Sequence, residues 1–186
     1  MNNDLSERWF SLAQNYCRDE ALIQKFWEEI SEHYNHPDRY YHNFSHLSAM
    51  MERFDRCQAE IKEPDCLQFA IFYHDIIYQF GRTDNEVKSA ELSVNRLTEL
   101  GLTEEQVNRC YELILATKSH DRDDDSDIRF MLDIDIGILA EQKDRYLQYT
   151  EAIRKEYQMY SDDEYRKGRI TVLERFLKMP KIFKSE

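Results

Sequence analysis

The stretch CLQFAIFYHDIIYQF, residues 66–80, decides the fold, because as a helix it would carry apolar side chains on every face. A helix that is apolar on all sides is stable only when neighbouring elements cover it completely. We therefore predict a helix over residues 66–80 at the centre of a bundle. Gly81 suits the end of this helix, since glycine readily adopts the conformation of a C-terminal cap.

The rest of the chain shows the period of amphipathic helices. Only 4 Gly and 3 Pro interrupt 186 residues, which favours long helices over a sheet with frequent turns. Capping boxes at Thr103–Gln106 and Ser161–Glu164 mark two further helix starts. The other predicted helices cover approximately residues 9–16, 22–30, 43–62, 84–100, 103–117, 128–140, 143–160 and 162–179. We predict an all-α fold in which one compact multi-helix domain spans residues 1–186.

Composition excludes several classes of protein. The formal net charge of -12, from 25 Lys and Arg against 37 Asp and Glu, argues against a nucleic-acid polymer as partner. It permits a small phosphorylated substrate, because one divalent cation reverses the local sign of a cleft. We predict a cytoplasmic protein without membrane association from three features. The four cysteines are scattered without a C-x-x-C pair, the N-terminus is unlike a signal peptide, and the sequence lacks a long apolar run.

His74 and Asp75 are the sharpest anomaly, because they interrupt the apolar segment 66–80. A buried carboxylate costs several kcal/mol unless it is paired or bound to a metal. One interpretation is therefore a metal ligand pair. The other is an aspartate bonded to an arginine or to a helix N-terminus, beside a core histidine with ordinary hydrogen bonds.

Two further patterns carry His and Asp side chains. In YHNFSH, residues 41–46, His42 and His46 share one face if the helix begins by residue 42; otherwise they are solvated histidines. Asp133 and Asp135 interrupt the apolar helix 128–140 and point about 200° apart, so they cannot occupy one face. Asp135 is on the more buried side, while Asp133 remains an alternative ligand or an orienting group.

Taken together, His46, His74, Asp75 and Asp135 predict a mixed nitrogen and oxygen site on three separate helices. Such a ligand set suits one divalent metal ion, with Mn, Zn, Ni, Co, Fe and Mg as candidates.

The order His, His-Asp, Asp resembles the signature of the HD-domain superfamily of metal-dependent phosphohydrolases, which implies an HD-type helical bundle. The resemblance covers residues 25–184 and is closest to a subfamily of small bacterial proteins described as predicted HD phosphohydrolases. The motifs that carry it are RYYHNFSHL (39–47), FYHDIIY (72–78), DNEVKSA (84–90), ILATKSH (114–120), LDIDIGIL (132–139), YxxxIRxEY (149–157) and GRxxVLxxFL (168–177).

YHNxxH and ILAT also resemble the catalytic domain of cyclic-nucleotide phosphodiesterases. That likeness implies that His46 is the first metal ligand and that His42 is the general acid near the leaving group. Those enzymes have a histidine for a second metal where this chain has Tyr78, which favours one ion over two.

The resemblance implies a phosphomonoesterase or phosphodiesterase for a small, nucleotide-like phosphoester, in which Asp75 or Asp135 accepts a hydrogen bond from the attacking water. The alternatives are a non-catalytic metal- or nucleotide-binding sensor and an HD-type oxygenase, which Tyr78 disfavours.

Arg39 and Lys118 are candidate donors of hydrogen bonds to the phosphate. His120 is either a further ligand or a surface residue. Glu86 either lines the cleft or lies on a solvated helix face. We expect a structural ion-pair network formed by Arg154, Glu156 and Arg169.

Overall fold

A computed structural model describes residues 2–122 and 124–185 of the chain. The predicted charged loop 120–127 includes Asp123, which lies outside the described residues, as do both ends of the predicted domain. The described part is all-helical, which confirms the predicted fold class. Its α-helices are α1 Asn2–Ala13, α2 Glu20–Tyr34, α3 Phe44–Cys57, α4 Pro64–Tyr73, α5 Asn85–Glu99, α6 Glu104–Ala116, α7 Ser126–Asp135, α8 Lys143–Glu156 and α9 Asp162–Lys178, with short 3₁₀ helices at Gln58–Glu60 and Ile136–Ala140.

Helix α4 lies at the centre of the bundle, as its sequence predicts. Every residue from Cys66 to Tyr73 is buried, and α3, α5, α6 and α7 all pack against α4. Trp9 of α1 meets Phe69 and Phe72 edge to face, and its indole N–H donates to Ile23 O at 3.1 Å. These aromatic contacts join α1 and α2 to the central helix.

The prediction that this helix continues to Phe80 is wrong, because α4 ends at Tyr73. The reason is tertiary: side chains from other elements satisfy the backbone groups that a continuing helix would pair. Arg39 donates to the carbonyl oxygens of Asp75 and Ile76, both at 2.7 Å. Ser89 of α5 accepts from the Ile77 N–H at 3.1 Å and donates to the Ile77 carbonyl at 3.2 Å.

Two consequences follow for the segment after α4. His74 is the C-cap of α4 rather than Gly81, which adopts a left-handed conformation (φ +77°) in a later turn. His74 and Asp75 therefore lie in a turn at the end of the central helix, where the Asp75 side chain lines a pocket and the His74 side chain lies buried beside it.

The predicted helix 128–140 is also divided. Its α-helical part, α7, ends at Asp135, and Ile136–Ala140 continues as a 3₁₀ helix. Before α7, the buried Asp127 side chain accepts the backbone N–H groups of Lys62 and Glu63, which fixes the approach to α4.

Both predicted capping boxes, at Thr103–Gln106 and Ser161–Glu164, are present. Helices α8 and α9 end slightly earlier than predicted, and no residue of α9 is buried. Within residues 2–122 and 124–185, each helix is too short or too polar to cross a membrane.

Candidate metal centre

Three segments that are distant in the sequence bring their His and Asp side chains together at the end of α4. His46 lies in the first turn of α3, which the Asn43 side chain caps. His74 and Asp75 lie in the turn after α4, and Asp135 is the last residue of α7. Because His42 precedes α3, it reaches the same pocket from a turn rather than from the shared helix face that the spacing predicts.

The two buried imidazoles face each other. His46 Nε2 lies 3.2 Å from His74 Nε2, and both residues are almost fully buried. His74 Nδ1 lies 2.8 Å from Ile71 O, a contact that only an Nδ1–H can make. This hydrogen bond leaves Nε2 as the nitrogen directed at the cluster, which is the usual arrangement of a histidine that ligates a metal. His46 Nδ1 has no hydrogen-bond partner among the described residues, so the polar contacts of this ring all involve Nε2.

Two carboxylates complete the cluster. Asp75 Oδ2 lies 3.2 Å from His74 Nε2, and ligand atoms of His46, His74 and Asp75 all lie within 4.8 Å of one another. Asp135 Oδ1 lies 3.4 Å from His46 Nε2 and 3.8 Å from His74 Nε2. The four residues predicted as ligands are therefore neighbours around one small volume.

The charges of the cluster favour a positive group beside its two carboxylates. Burial raises the pKa of Asp75, but the charges of His74 and His42 outweigh it and hold this pKa below its ordinary value. Burial likewise raises the pKa of Asp135, but hydrogen bonds with His120 and His46 outweigh it and keep this pKa well below the ordinary value. Two largely buried carboxylates, 13% and 16% exposed, thus stay ionised, and a positive charge beside them offsets the cost of their burial.

In the metal-free chain, a proton on His74 supplies that charge. Burial lowers the pKa of His74, but Asp75 and Asp135 outweigh it and raise the pKa to about 9. Burial lowers the pKa of His46 below its ordinary value, so this imidazole stays neutral. A divalent cation can replace the proton, because ligand atoms of His46, His74 and Asp75 already lie within 4.8 Å of one another and Asp135 Oδ1 lies beside both imidazoles. The residues present therefore fit a metal ion.

His120 belongs to the same site. Its Nε2 lies 2.9 Å from Asp135 Oδ2, the oxygen that does not face the other histidines. His120 adopts a left-handed backbone conformation with φ of 53°, which is uncommon for a residue other than glycine. Of its two predicted roles, the cluster role is favoured over a surface role, because the imidazole holds the carboxylate of a predicted ligand.

The His42 imidazole is held by the carboxylate of Glu156, a residue that we expected in an ion-pair network with Arg154 and Arg169. Glu156 of α8 is 1% exposed; its Oε2 lies 2.7 Å from His42 Nδ1, and its Oε1 accepts the Tyr41 and His42 backbone N–H groups. Burial lowers the pKa of His42, but the hydrogen bond with Glu156 and the charge of Asp75 raise it above its ordinary value. His42 Nε2 lies 3.9 Å from Asp75 Oδ2.

The expected ion-pair network of Arg154, Glu156 and Arg169 is therefore wrong. Arg154 pairs with Asp162 at 2.7 Å, while Arg169 donates to the Tyr149 hydroxyl at 2.8 Å. Glu156 instead orients His42. No local pattern marks this role, because Glu156 comes from a polar helix more than 100 residues after its partner.

The cluster opens into a pocket with a volume of about 470 Å³. Tyr78 lines it and stacks on His42, with ring centres 4.1 Å apart. Glu86 also lines the pocket, which supports its cleft role over a solvated one. The remaining walls come mainly from α8 and α9, through Tyr149, Ile153, Tyr157, Tyr160, Glu164, Tyr165, Gly168, Arg169 and Val172.

Arg39 is not a phosphate donor in this structure. Arg39 is 7% exposed as a residue, and its guanidinium donates to the carbonyl oxygens of His42, Asp75 and Ile76. It also faces the Tyr34 ring at 4.9 Å. Arg39 therefore fixes the backbone that carries His42 and Asp75, and it does not line the pocket.

Two other predicted residues lie apart from the cluster. Lys118 is exposed and is not among the described residues that line the pocket. Asp133 accepts the backbone N–H groups of Lys184 and Ser185 and the Ser185 hydroxyl. Asp133 therefore holds the C-terminal segment and is neither the fourth ligand nor an orienting group for the histidines.

Searches against protein-family models, curated proteins and solved structures gave no match for this chain.

Proposed function

We propose that the protein is a metal-dependent phosphohydrolase that acts on a small, nucleotide-like phosphoester. The observation that carries this proposal is the 3.2 Å approach of His46 Nε2 to His74 Nε2 between the Asp75 and Asp135 carboxylates. The likeness of the surrounding motifs to the HD-domain superfamily supports the same reaction class.

His46, His74, Asp75 and Asp135 would hold one divalent ion. When bound, such an ion supplies an electrophile for the phosphoryl oxygens and activates water as the nucleophile. Asp75 lies at the edge of the cluster, between His74 and His42, with its side chain 13% exposed. Its carboxylate is therefore available to accept a hydrogen bond from an attacking water and to orient it.

His42 is the proposed general acid. Glu156 holds Nδ1, so Nε2 is the nitrogen that can deliver a proton into the pocket. The raised pKa of His42 keeps the imidazole protonated over a wider range of pH, which suits a group that must protonate the departing oxygen. The stacked Tyr78 ring limits the rotation of the imidazole.

The arrangement around His42 also favours an enzyme over a non-catalytic sensor. A binding protein needs ligands for its ion, whereas the second oxygen of the buried Glu156 carboxylate orients and charges His42, which a proton donor requires and an ion-binding site does not. The four cysteines are all free thiols, which supports a reducing, cytoplasmic location.

The test is a hydrolysis assay on the purified chain with Mn, Co, Ni, Zn, Fe and Mg, using generic phosphoesters and a nucleotide panel. We expect His74→Ala and Asp75→Ala to lose metal and activity together. His36→Ala is the matched control, because His36 is exposed and pairs only with Asp38. Metal binding without release of phosphate from any substrate would support the sensor instead.

A further inference from the structure

Among the described residues, one Lys or Arg side chain, Arg169 of α9, lines the pocket that the metal cluster borders through Asp75 and Asp135. The other charged residues among the described lining are histidines and the carboxylates Asp75, Glu86, Asp135 and Glu164. A pocket this acidic would repel an anionic substrate except near the metal and near Arg169. The position and partners of Arg169 therefore bear on which substrates can enter.

The positive charge of Arg169 has no adjacent carboxylate in the described part of the chain. Its Nη2 donates to the Tyr149 hydroxyl at 2.8 Å, and the guanidinium faces the Tyr149 ring at 5.0 Å. Burial raises the pKa of Tyr149, so this phenol is neutral and leaves the charge uncompensated. Glu164 lies one helical turn away, but its carboxylate accepts the Ser161 N–H and hydroxyl in the capping box.

Arg169 lines the same pocket as Asp75 and Asp135 but makes no ion pair with either carboxylate in the described part of the chain. Tyr41 lies 4.9 Å from the His46 ring and 4.6 Å from the Tyr149 ring, and Tyr149 in turn holds Arg169. The guanidinium is therefore held by Tyr149 rather than by the cluster carboxylates. It is placed in the pocket where a part of the substrate beyond the phosphoryl group can reach it.

We propose that Arg169 binds a second anionic group of the substrate, a carboxylate or a second phosphate, apart from the phosphoester held at the cluster. This inference rests on the proposed function. The planar fork of an arginine matches both anions, and the contact with Tyr149 holds the fork in place before the substrate arrives. The same pocket is also lined by Tyr78, Tyr157 and Tyr165, whose aromatic rings can pack against the body of the substrate.

Arg169 also borders a second cavity of about 560 Å³, lined in part by Tyr146, Thr150 and Arg154. The spacing between the two anions is therefore best found by experiment. Phosphonoalkanoates carry a phosphonate and a carboxylate at the ends of a methylene chain of chosen length. Alkylphosphonates of the same length lack only the carboxylate, and neither series can be hydrolysed.

The experiment is calorimetric binding of both series to the full chain loaded with Mn²⁺. At the best chain length, we expect the carboxylate to tighten binding at least tenfold, as a charge-assisted hydrogen bond does. In Arg169→Gln this advantage should disappear, while affinity for the alkylphosphonate stays within twofold. Arg169→Lys should keep part of the advantage, because it retains the charge without the fork.

Arg166→Gln is the matched control, since it removes the same charge from the exposed side of α9, and it should leave the advantage intact. Circular dichroism checks that each variant is folded. The proposal is overturned if the carboxylate gives no advantage at any length, or if the advantage survives in Arg169→Gln. If neither series binds to the metal-loaded chain, phosphoester recognition itself fails, and the second-anion site fails with it.

Discussion

Glu156 Oε2 lies 2.7 Å from His42 Nδ1, so a carboxylate from the end of α8 holds a histidine that precedes α3. The same carboxylate accepts two backbone N–H groups from the turn that carries His42, at 2.7 and 3.0 Å. Glu156 therefore fixes both the position of the imidazole and its protonation state. This contact links the helices that cover the pocket to the residue proposed to donate a proton.

Glu156→Gln should reduce kcat about ten- to a hundredfold, as loss of an orienting carboxylate commonly does. Glutamine still accepts the two backbone N–H groups, but it no longer raises the pKa of His42. Because the general acid must be protonated, the loss of activity at high pH should begin at a lower pH than in the wild type. A pH–rate profile measures this shift. The metal content of Glu156→Gln should stay unchanged. The control is Glu151→Gln, which changes an exposed residue of the same helix and should have the kcat and the pH–rate profile of the wild type.

Arg39→Ala should destabilise the fold, because it removes the donor for three carbonyl oxygens around the site. Each unsatisfied buried carbonyl costs about 1–3 kcal/mol, so we expect a loss of at least about 2 kcal/mol in urea denaturation. Arg56→Ala, which changes an exposed residue of α3, should lose less than about 0.5 kcal/mol. A raised KM with unchanged stability would instead indicate that Arg39 binds phosphate.

The outcome for Arg39 shows where prediction from the sequence stops. The buried centre of the bundle and both capping boxes follow from local patterns, since residues 66–73 are apolar on all faces and Thr103 and Ser161 lie three residues before Gln106 and Glu164. The end of α4 does not, because Arg39 and Ser89 reach it from other elements.

The candidate site shows the same contrast between features that local sequence patterns predict and features that depend on tertiary contacts. His74, Asp75 and Asp135 stand out because they interrupt apolar segments, and His46 follows from its spacing to His42 and from the family resemblance. Glu156 comes from a polar helix and becomes buried only through its tertiary contact with His42.

Metal binding should displace a proton from His74. The pKa of His74 is about 9 in the metal-free chain, and a metal ligand must be deprotonated. Below that pH, each unit of acidification should therefore weaken the apparent metal affinity about tenfold. Calorimetric titrations at pH 6.5, 7.5 and 8.5, in two buffers with different ionisation enthalpies, measure both the slope and the released proton. An affinity that is independent of pH over this range would contradict the assignment of His74 as a ligand.

His120→Ala should weaken metal binding about ten- to a hundredfold without abolishing it, because His120 contacts the second oxygen of Asp135 rather than the centre of the cluster. Asp135→Ala should abolish tight binding. Dissociation constants from competition with a fluorescent chelator separate the two effects. Equal loss in both variants would assign His120 as a direct ligand.

The most direct measurement of the central claim is an anomalous difference map from a crystal of the chain grown with Mn²⁺. The site predicts one strong peak in coordination contact with His46 Nε2, His74 Nε2 and an oxygen of each of Asp75 and Asp135. It also predicts that the peak disappears in His74→Ala. A map without a peak at these four residues, at a Mn²⁺ concentration that saturates binding in solution, would contradict the metal centre.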